Sequence, residues 1–314
     1  MSSLVKKSFF IALLIMLIFS SAYCCEASTL TEQIFVTVKV NDKCIKMDTL
    51  PYIKNDRVYV SVRFVAEALG CKVEWIEEQN KVLICKKEEE DTENLIDLAI
   101  IQNNIENSSD EENNADENYI DESETIQLVI GSNECIAYGE KKEMDVAPEI
   151  VNGRTMIPIR FVSENLACEV KWDELTFSVL INKEGVEDPE KLIDNRGYTD
   201  EDLMWLARIV HVEVKGLSIN AKVAVANVVL NRVKSPQFPN TIYDVIFASG
   251  QFPPAHKSGF KELVPSRECM IAAKMALHGI NNVEDCLFFN NVPFNSKNVV
   301  LYKRIDGEYF YRKK

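Results

Sequence analysis

Histidine is scarce in this chain, and its scarcity disfavours several kinds of chemistry. Only His211, His256 and His278 occur among the 314 residues, and they fall in unrelated predicted elements. A zinc amidase or endopeptidase needs two or three His ligands arranged with a carboxylate, and no CxxC or mixed Cys/His spacing occurs either. A cysteine peptidase would have to pair Cys269 or Cys286 with His256, a coincidence of composition. We therefore expect no metal and no cofactor.

Positive charge is absent from one long stretch. Residues 88–124 contain fifteen Asp and Glu but no Lys or Arg, whereas the rest of the chain balances 34 acidic with 35 basic residues. The formal net charge of −14 therefore belongs to this stretch, and the remainder is close to neutral. Such a charge run cannot bury enough apolar surface to fold, so we predict an acidic disordered linker over residues 87–124. A calcium-binding or partner-binding role for this segment is the alternative.

The N-terminus lacks an apolar run of the roughly 20 residues that a membrane-spanning helix needs. Two lysines precede a short apolar run, 9–19, which is followed by small residues up to Ala27. This pattern predicts a signal peptide over residues 1–27 and a secreted or cell-envelope protein with no stable membrane span after cleavage. An uncleaved anchor is the alternative. Bulky residues before each cysteine of the Cys24-Cys25 pair disfavour lipidation.

The cysteines after Ala27 number seven, which is odd. An exported chain permits disulfides, and buried free thiols are equally compatible with the sequence. The pairs that sequence position suggests are Cys44/Cys71, Cys135/Cys168 and Cys269/Cys286.

Two segments of the chain repeat each other. Residues 57–84 align without gaps to residues 154–181, with identical residues at thirteen positions. Both copies are predicted to form a strand, a short helix and a second strand. Four shared aromatic residues are predicted to fill the two cores, with sugar stacking by an aromatic as the alternative: Trp75, Trp172, Phe64 and Phe161.

Residues Asn152 to Leu166 follow the pattern N-G-R-T-M-I-P-I-R-F-V-x-E-x-L, and on this pattern both copies resemble the copper amine oxidase N-terminal domain. The first copy is more divergent, since it has Asp56 for the glycine and Ser61 for the proline. The resemblance implies a binding or spacer module over residues 33–86 and again over residues 125–184. Neither copy contains a histidine, so we expect no copper site.

After residue 184 the pattern becomes helical. Thr199, with an acidic residue three positions on, predicts the start of one helix, and Ser218 predicts the start of a second over residues 219–233. The second helix is so apolar that we expect it to be the buried centre of a domain. Asp306-Gly307 predicts a two-residue hairpin turn. The other predicted elements are helices over 242–248 and 266–279 and strands over 287–289, 299–305 and 308–312.

One acidic residue in this unit is unusual. Glu213 lies between Val212 and Val214 near the end of an apolar helix. Desolvation there would raise the pKa of its carboxyl group, which suits a general acid. The alternative is an exposed glutamate, or one that pairs with Arg208 or Lys215.

Residues 203–252 and the motifs that follow them resemble the SleB-type cell-wall hydrolases, the spore-cortex-lytic enzymes. The resemblance rests on Val223-Ala224-Val225, Leu230-Asn231-Arg232-Val233, Phe238-Pro239, Thr241-Ile242, Val245-Ile246 and Phe288-Phe289-Asn290. It implies a lysozyme-like, mainly helical α+β domain over residues 198–314 that cleaves the glycan backbone of peptidoglycan. Alignment on Ala207-Arg208 places the family's catalytic glutamate at Glu213. By family position, the expected substrate-binding residues are Gln251, Phe252, Phe289, Asn290 and Glu308.

Several of these assignments have alternatives. Phe252 and Phe289 could equally belong to the core, and Asn231 and Arg232 are expected to anchor the central helix rather than to contact glycan. The family's second glutamate corresponds to Leu217 here, and its hairpin histidine corresponds to Glu308. If the reaction uses a second carboxylate beside Glu213, the two candidates are Asp244 and Glu308.

A lytic transglycosylase needs only one protonated carboxyl group, whereas a hydrolase would normally use a second carboxylate as well. We therefore predict a lytic transglycosylase of spore cortex or vegetative wall. The alternative is a catalytically impaired, exported wall-binding or regulatory protein.

The sequence as a whole predicts a multidomain α+β protein. Two small strand-helix-strand modules are joined by the acidic linker and are followed by the catalytic domain with its C-terminal hairpin. Residues 198–314 carry fifteen basic and eleven acidic residues. Their mildly basic surface favours an anionic wall polymer, and we expect no nucleic-acid partner.

Overall fold

The computed structural model describes residues 30–86, 122–186 and 190–314. The predicted signal peptide and almost all of the predicted linker lie outside the described residues. A strand-rich N-terminal region is followed by a mainly helical C-terminal region, so the predicted mixed α+β class is confirmed. Among the described residues, no helix is both long and apolar enough to cross a membrane.

Each repeat contains a strand, a seven-residue helix and a strand in the predicted order. The first repeat comprises β1 (Thr37–Val40), β2 (Lys43–Cys44), β3 (Tyr52–Lys54), β4 (Arg57–Ser61), α1 (Val62–Ala68), β5 (Cys71–Ile76) and β6 (Lys81–Lys86). The second comprises β7 (Thr125–Val129), β8 (Glu134–Ala137), β9 (Glu140–Glu143), β10 (Glu149–Val151), β11 (Arg154–Pro158), α2 (Ile159–Asn165), β12 (Glu169–Asp173) and β13 (Ser178–Asn182).

Strands of the two repeats pair with each other within shared sheets. The sheet orders are β12-β13-β1-β2, β10-β11-β4-β3 and β5-β6-β7-β8-β9. Strand β1 runs parallel to β13, with Val38 opposite Val179, and β4 runs antiparallel to β11, with Val60 opposite Ile157. Side chains of both copies also form one hydrophobic cluster. We call this intertwined structure the repeat unit, since two or three strands from one copy would leave open edges and too little apolar surface to bury.

The predicted aromatic core residues differ in their burial. Phe64 and Phe161 pack against the shared core of the repeat unit, and Trp172 packs against both this core and the core of the C-terminal region. Trp75 is 42% exposed, so the prediction that it fills a core is wrong. Trp75 lies on β5, an outer strand of the five-stranded sheet. The equivalent Trp172 also lies on an outer strand but is covered by the core of the C-terminal region, whereas Trp75 packs against neither hydrophobic cluster of the described residues.

The C-terminal region confirms the predicted helices. Its elements are α3 (Asp200–Val214), α4 (Ile219–Lys234), α5 (Ile242–Phe247), α6 (Arg267–Leu277), β14 (Phe288–Asn290), β15 (Val299–Ile305) and β16 (Glu308–Lys313). Thr199 and Asp202 form a reciprocal capping box at the start of α3, and Thr241 accepts a hydrogen bond from the backbone N–H of Asp244 at the start of α5. Most side chains of α4 are buried, as expected for the central helix.

A buried lysine joins the two regions. Lys274, on α6, donates hydrogen bonds to the carbonyl oxygens of Phe35 (2.8 Å) and Thr176 (2.5 Å) and to the hydroxyl of Thr37 (3.0 Å). The ring of Phe35 also stacks on His278 at a centroid distance of 4.2 Å. The C-terminal region is therefore packed directly against β1 and the residues preceding β13.

The sequence is compatible with both disulfides and free thiols, and the structure distinguishes between them. The cysteines of the three suggested pairs are all free thiols: Cys44, Cys71, Cys135, Cys168, Cys269 and Cys286. Burial raises the pKa of the Cys286 thiol to about 12, so this thiol is protonated at neutral pH.

Candidate active site

Glu213 is on the last turn of α3, where its side chain is half-buried. Burial raises the pKa of its carboxyl group, the nearby Glu308 raises it further, and Arg232 lowers it. Within the described part of the chain Glu213 makes no ion pair. The carboxyl group can therefore hold a proton at a higher pH than an ordinary glutamate.

The alternative partners of Glu213 are engaged elsewhere or exposed. Arg208 donates to the carbonyl oxygen of Leu263 (2.9 Å), and its guanidinium lies 4.6 Å from the ring centroid of Trp205. Lys215 is exposed beyond the end of α3. The structure therefore does not show the alternative in which Glu213 forms an ion pair with Arg208 or Lys215.

Arg232 is a neighbour of Glu213 that the sequence does not reveal. Its Nε donates to the carbonyl oxygen of Leu287 (2.9 Å), and its guanidinium lies against the rings of Phe238 and Phe252 at 5.1 and 4.9 Å. Burial lowers its pKa to about 10, although the negative charge of Glu213 acts in the opposite direction. Its Nη1 is buried and has no hydrogen-bond partner among the described residues. An arginine near the end of a helix with long apolar runs is a sequence signal that could have identified it.

Arg232 and Asn231 also anchor α4, as predicted. The amide of Asn231 donates to the carbonyl oxygens of Glu284 (2.6 Å) and Cys286 (2.9 Å), just before β14. These bonds fix the central helix against the sheet that carries Glu308.

Of the two carboxylates considered as partners of Glu213, the structure brings Glu308 near it. Glu308 is half-buried at the start of β16, and burial raises the pKa of its carboxyl group. The preceding turn is held in place because the backbone N–H of Ser218 donates to Asp306 (2.9 Å). Asp244 instead accepts a hydrogen bond from the hydroxyl of Thr241 (2.6 Å) and contributes to the cap of α5.

The predicted sugar-contacting aromatics divide into a core residue and a more accessible one. Phe252 is 1% exposed, so the prediction that it contacts substrate is wrong, and it instead supports Arg232. The reason is that its ring faces inward against Phe289, at a centroid distance of 6.4 Å. Phe289 is half-buried and stacks on Phe310 at 6.0 Å.

Gln251 and Asn290 are half-buried and retain polar atoms that a ligand could contact. Asn290 ends β14 and lies opposite Tyr309, the residue after Glu308. Its side-chain oxygen accepts a hydrogen bond from the backbone N–H of Asn291 (3.1 Å). Asn290 and Glu308 therefore lie at the same end of the three-stranded sheet.

Two of the three histidines make packing contacts. His211 accepts a hydrogen bond from the backbone N–H of Ser266 (2.8 Å), while His278 stacks on Phe35. Both are thus used in packing helices.

Comparison with known proteins matches both parts of the chain. Residues 216–311 match the family described as Cell Wall Hydrolase. The chain carries a cell wall hydrolase domain at its C-terminus. Residues 39–120 and 111–181 match the Copper amine oxidase N-terminal domain, so two such domains precede the cell wall hydrolase domain. The match to the hydrolase family begins three residues after Glu213.

The cell wall hydrolase domain has named relatives. Over 95 residues, or 30% of this chain, it is 34% identical to the spore cortex-lytic enzyme of Bacillus subtilis (strain 168) and 36% identical to that of Bacillus cereus. These alignments cover 31% and 36% of those proteins, so the chain spans about a third of the length of these curated relatives. The crystal structure of the catalytic domain of Bacillus cereus SleB is 31% identical, with 38% of this chain and 98% of that one covered and a TM-score of 0.35.

Proposed function

We propose that the chain cleaves the glycan backbone of peptidoglycan, with Glu213 as the general acid and base of a lytic transglycosylase. The observation that carries this proposal is a half-buried carboxyl group, without an ion pair in the described residues, whose pKa is raised by burial and by Glu308. The cell wall hydrolase family match and the spore cortex-lytic relatives support the substrate class.

In this mechanism the glycosidic bond between the muramoyl C1 and the neighbouring sugar oxygen breaks as Glu213 transfers its proton to that oxygen. The muramoyl 6-hydroxyl oxygen then bonds to C1, and its proton passes to Glu213. The carboxyl group is thereby regenerated, and the product carries an anhydro-muramoyl end. Gln251, Phe289 and Asn290 would contact the sugars around the scissile bond.

Hydrolysis is the second candidate, and the nearness of Glu308 to Glu213 favours it. A hydrolase orients or activates water with a second carboxylate, and Glu308 could do so while Glu213 protonates the leaving oxygen. The products then carry reducing ends instead of anhydro ends.

The test is digestion of purified spore-cortex and vegetative peptidoglycan, followed by mass analysis of the released muropeptides. We expect anhydro-muramoyl ends with the parent protein and a rate about 10²- to 10⁴-fold lower with Glu213→Gln. Glu262→Gln, a change at an exposed glutamate of the same domain, is the matched control and should keep full activity. Reducing ends would establish hydrolysis. No release from either substrate would overturn the proposal and favour a wall-binding protein without turnover.

We further propose that the protein acts outside the cytoplasm, because a signal peptide is predicted at its N-terminus and residues 216–311 match the Cell Wall Hydrolase family. The relatives from Bacillus subtilis and Bacillus cereus are spore cortex-lytic enzymes, which supports the spore cortex as a target. The two substrates in the digestion distinguish that target from vegetative wall.

A further inference from the structure

A cleft of about 520 Å³ lies between the repeat unit and α6 of the cell wall hydrolase domain. Ile34, Trp172 and Phe177 contribute apolar lining, and Arg160 and Arg267 contribute positive charge. The cleft thus combines surfaces that are distant in sequence.

The cleft and Glu213 lie on different sides of α3. His211 accepts a hydrogen bond from Ser266, the residue before Arg267, so this side of α3 faces the start of α6. Glu213 is two residues further along, which corresponds to about 200° around a helix, and it faces Arg232 and Glu308. A ligand in the cleft therefore does not occupy the candidate active site.

Trp172 provides a fixed aromatic surface in the cleft. Its indole N–H donates to Glu174 at 2.5 Å, and its ring packs edge-on against Phe177 at a centroid distance of 6.3 Å. Because these two contacts already fix the side chain, it loses little conformational entropy when a ligand binds against it. Apolar walls with a few fixed polar groups are the usual lining of small-ligand sites.

One basic side chain of the cleft, Arg160, is available to bind an anion. Four basic side chains, Arg57, Arg160, Lys171 and Arg267, compare with two acidic ones, Asp56 and Glu174. Arg57 pairs with Asp145, Lys171 with Glu169 and Arg267 with Glu32. Arg160 is exposed and has no hydrogen-bond or ion-pair partner in the described ranges. Its planar set of N–H donors is available to bind a carboxylate in bidentate fashion.

We propose that this cleft is a second binding site for the peptidoglycan strand, with a sugar ring against Trp172 and a muramoyl or stem-peptide carboxylate on Arg160. The proposal rests on the proposed function, because peptidoglycan is the substrate of Glu213 in that scheme. The cleft would hold one part of a strand while another part is cleaved.

The internal repeat supplies matched controls. Arg63 and Trp75 occupy the positions in the first repeat that correspond to Arg160 and Trp172. Neither residue lines the cleft. Arg63 is exposed near Glu67 (3.9 Å), and Trp75 is 42% exposed. Each pair of variants changes the same residue type at equivalent places in the fold.

The experiment is a fluorescence titration of the full mature chain, carrying Glu213→Gln to prevent turnover, with soluble peptidoglycan fragments that retain stem peptides. We expect a saturable change in tryptophan emission that Trp172→Phe abolishes and Trp75→Phe preserves. Arg160→Ala should weaken the affinity about tenfold, and Arg63→Ala should leave it unchanged. A neutral N-acetylglucosamine oligomer of equal length should bind more weakly and be insensitive to Arg160→Ala.

The proposal is overturned if Arg160→Ala and Arg63→Ala behave alike, or if the neutral oligomer binds as tightly as the peptidoglycan fragments. Cleavage by the protein with an intact Glu213 is measured separately. Binding that depends on Arg160 without any cleavage would overturn the proposed function and retain the cleft. Cleavage without such binding would retain the proposed function and overturn the cleft as a binding site.

Discussion

Glu213 lies between a carboxylate and a guanidinium that change its proton affinity in opposite directions. Burial and Glu308 raise the pKa of its carboxyl group, and Arg232 lowers it. A general acid acts only in its protonated form, and a raised pKa extends that form toward neutral pH. Glycan cleavage should therefore be full below the raised pKa and should decline as the pH rises through it.

Glu308→Gln tests this relation. Removing the negative charge of Glu308 lowers the pKa of Glu213, so the alkaline limb of the kcat/KM profile should move to lower pH. The measurement is the rate of muropeptide release across the pH range. Arg232→Met removes the opposing positive charge and should move the limb to higher pH, while Arg232→Lys should leave it nearly in place. If Glu308→Gln leaves the limb unmoved, Glu308 does not set the proton affinity of Glu213.

For individual residues, the sequence predicts the features that depend on neighbours along the chain. The apolar neighbours of Glu213 along its own helix are visible in the sequence, so the residue can be identified there. Arg232 becomes its neighbour only through the packing of α4 against α3, and Phe252 turns inward only because the core beneath Arg232 has room for its ring. These contacts depend on tertiary packing, which no local pattern encodes.

Elements with local start and stop signals agree closely with prediction. Helix α4 is predicted over residues 219–233 and observed over Ile219–Lys234, since Ser218 begins it and the prolines that follow end it. The Asp306-Gly307 turn is also as predicted, with φ angles of 51° and 94°. The sheets are different, because the pairing of β1 with β13 joins residues far apart in the chain. Repetition in the sequence indicates two similar copies and does not indicate that they exchange strands.

Asp306→Ala tests how firmly the hairpin is held. Alanine loses the acceptor for the Ser218 N–H and tolerates a positive φ poorly, so we expect a loss of about 2 kcal/mol in the free energy of unfolding. Asp306→Asn keeps a side-chain oxygen and the tolerance of this backbone conformation, so its loss should be less than half as large. Urea unfolding of both variants measures the difference. Equal losses would show that the hydrogen bond and the backbone conformation do not determine the stability of this turn.

On the scale of the whole molecule, the repeat unit and the cell wall hydrolase domain share a buried polar contact. The ammonium group of Lys274 is surrounded by oxygens from Phe35, Thr37 and Thr176, and β1 is also linked to the start of α3 by the Lys39–Asp200 ion pair. Such a junction favours joint unfolding of the two parts.

Lys274→Met tests this junction. The change leaves buried carbonyl oxygens without a donor, so we expect the free energy of unfolding to fall by about 2–3 kcal/mol. Calorimetry should show one joint transition in the parent chain and two separated transitions in the variant. Lys257→Met, at an exposed lysine of the same domain, is the control and should preserve the single transition. Two transitions already present in the parent would contradict a cooperative junction.

The parallel pairing of β1 with β13 also sets an order of events during biosynthesis. A chain emerges N-terminus first, so β1 appears before the partner that it needs in the middle of its sheet. Strand β1 cannot complete its pairing with β13 until Asn182 has emerged. The completed sheet then presents the acceptor oxygens of Phe35, Thr37 and Thr176 to which Lys274 donates hydrogen bonds. The repeat unit can thus close only after β13 has emerged, which is before the helix that docks on it, Arg267–Leu277, has been made.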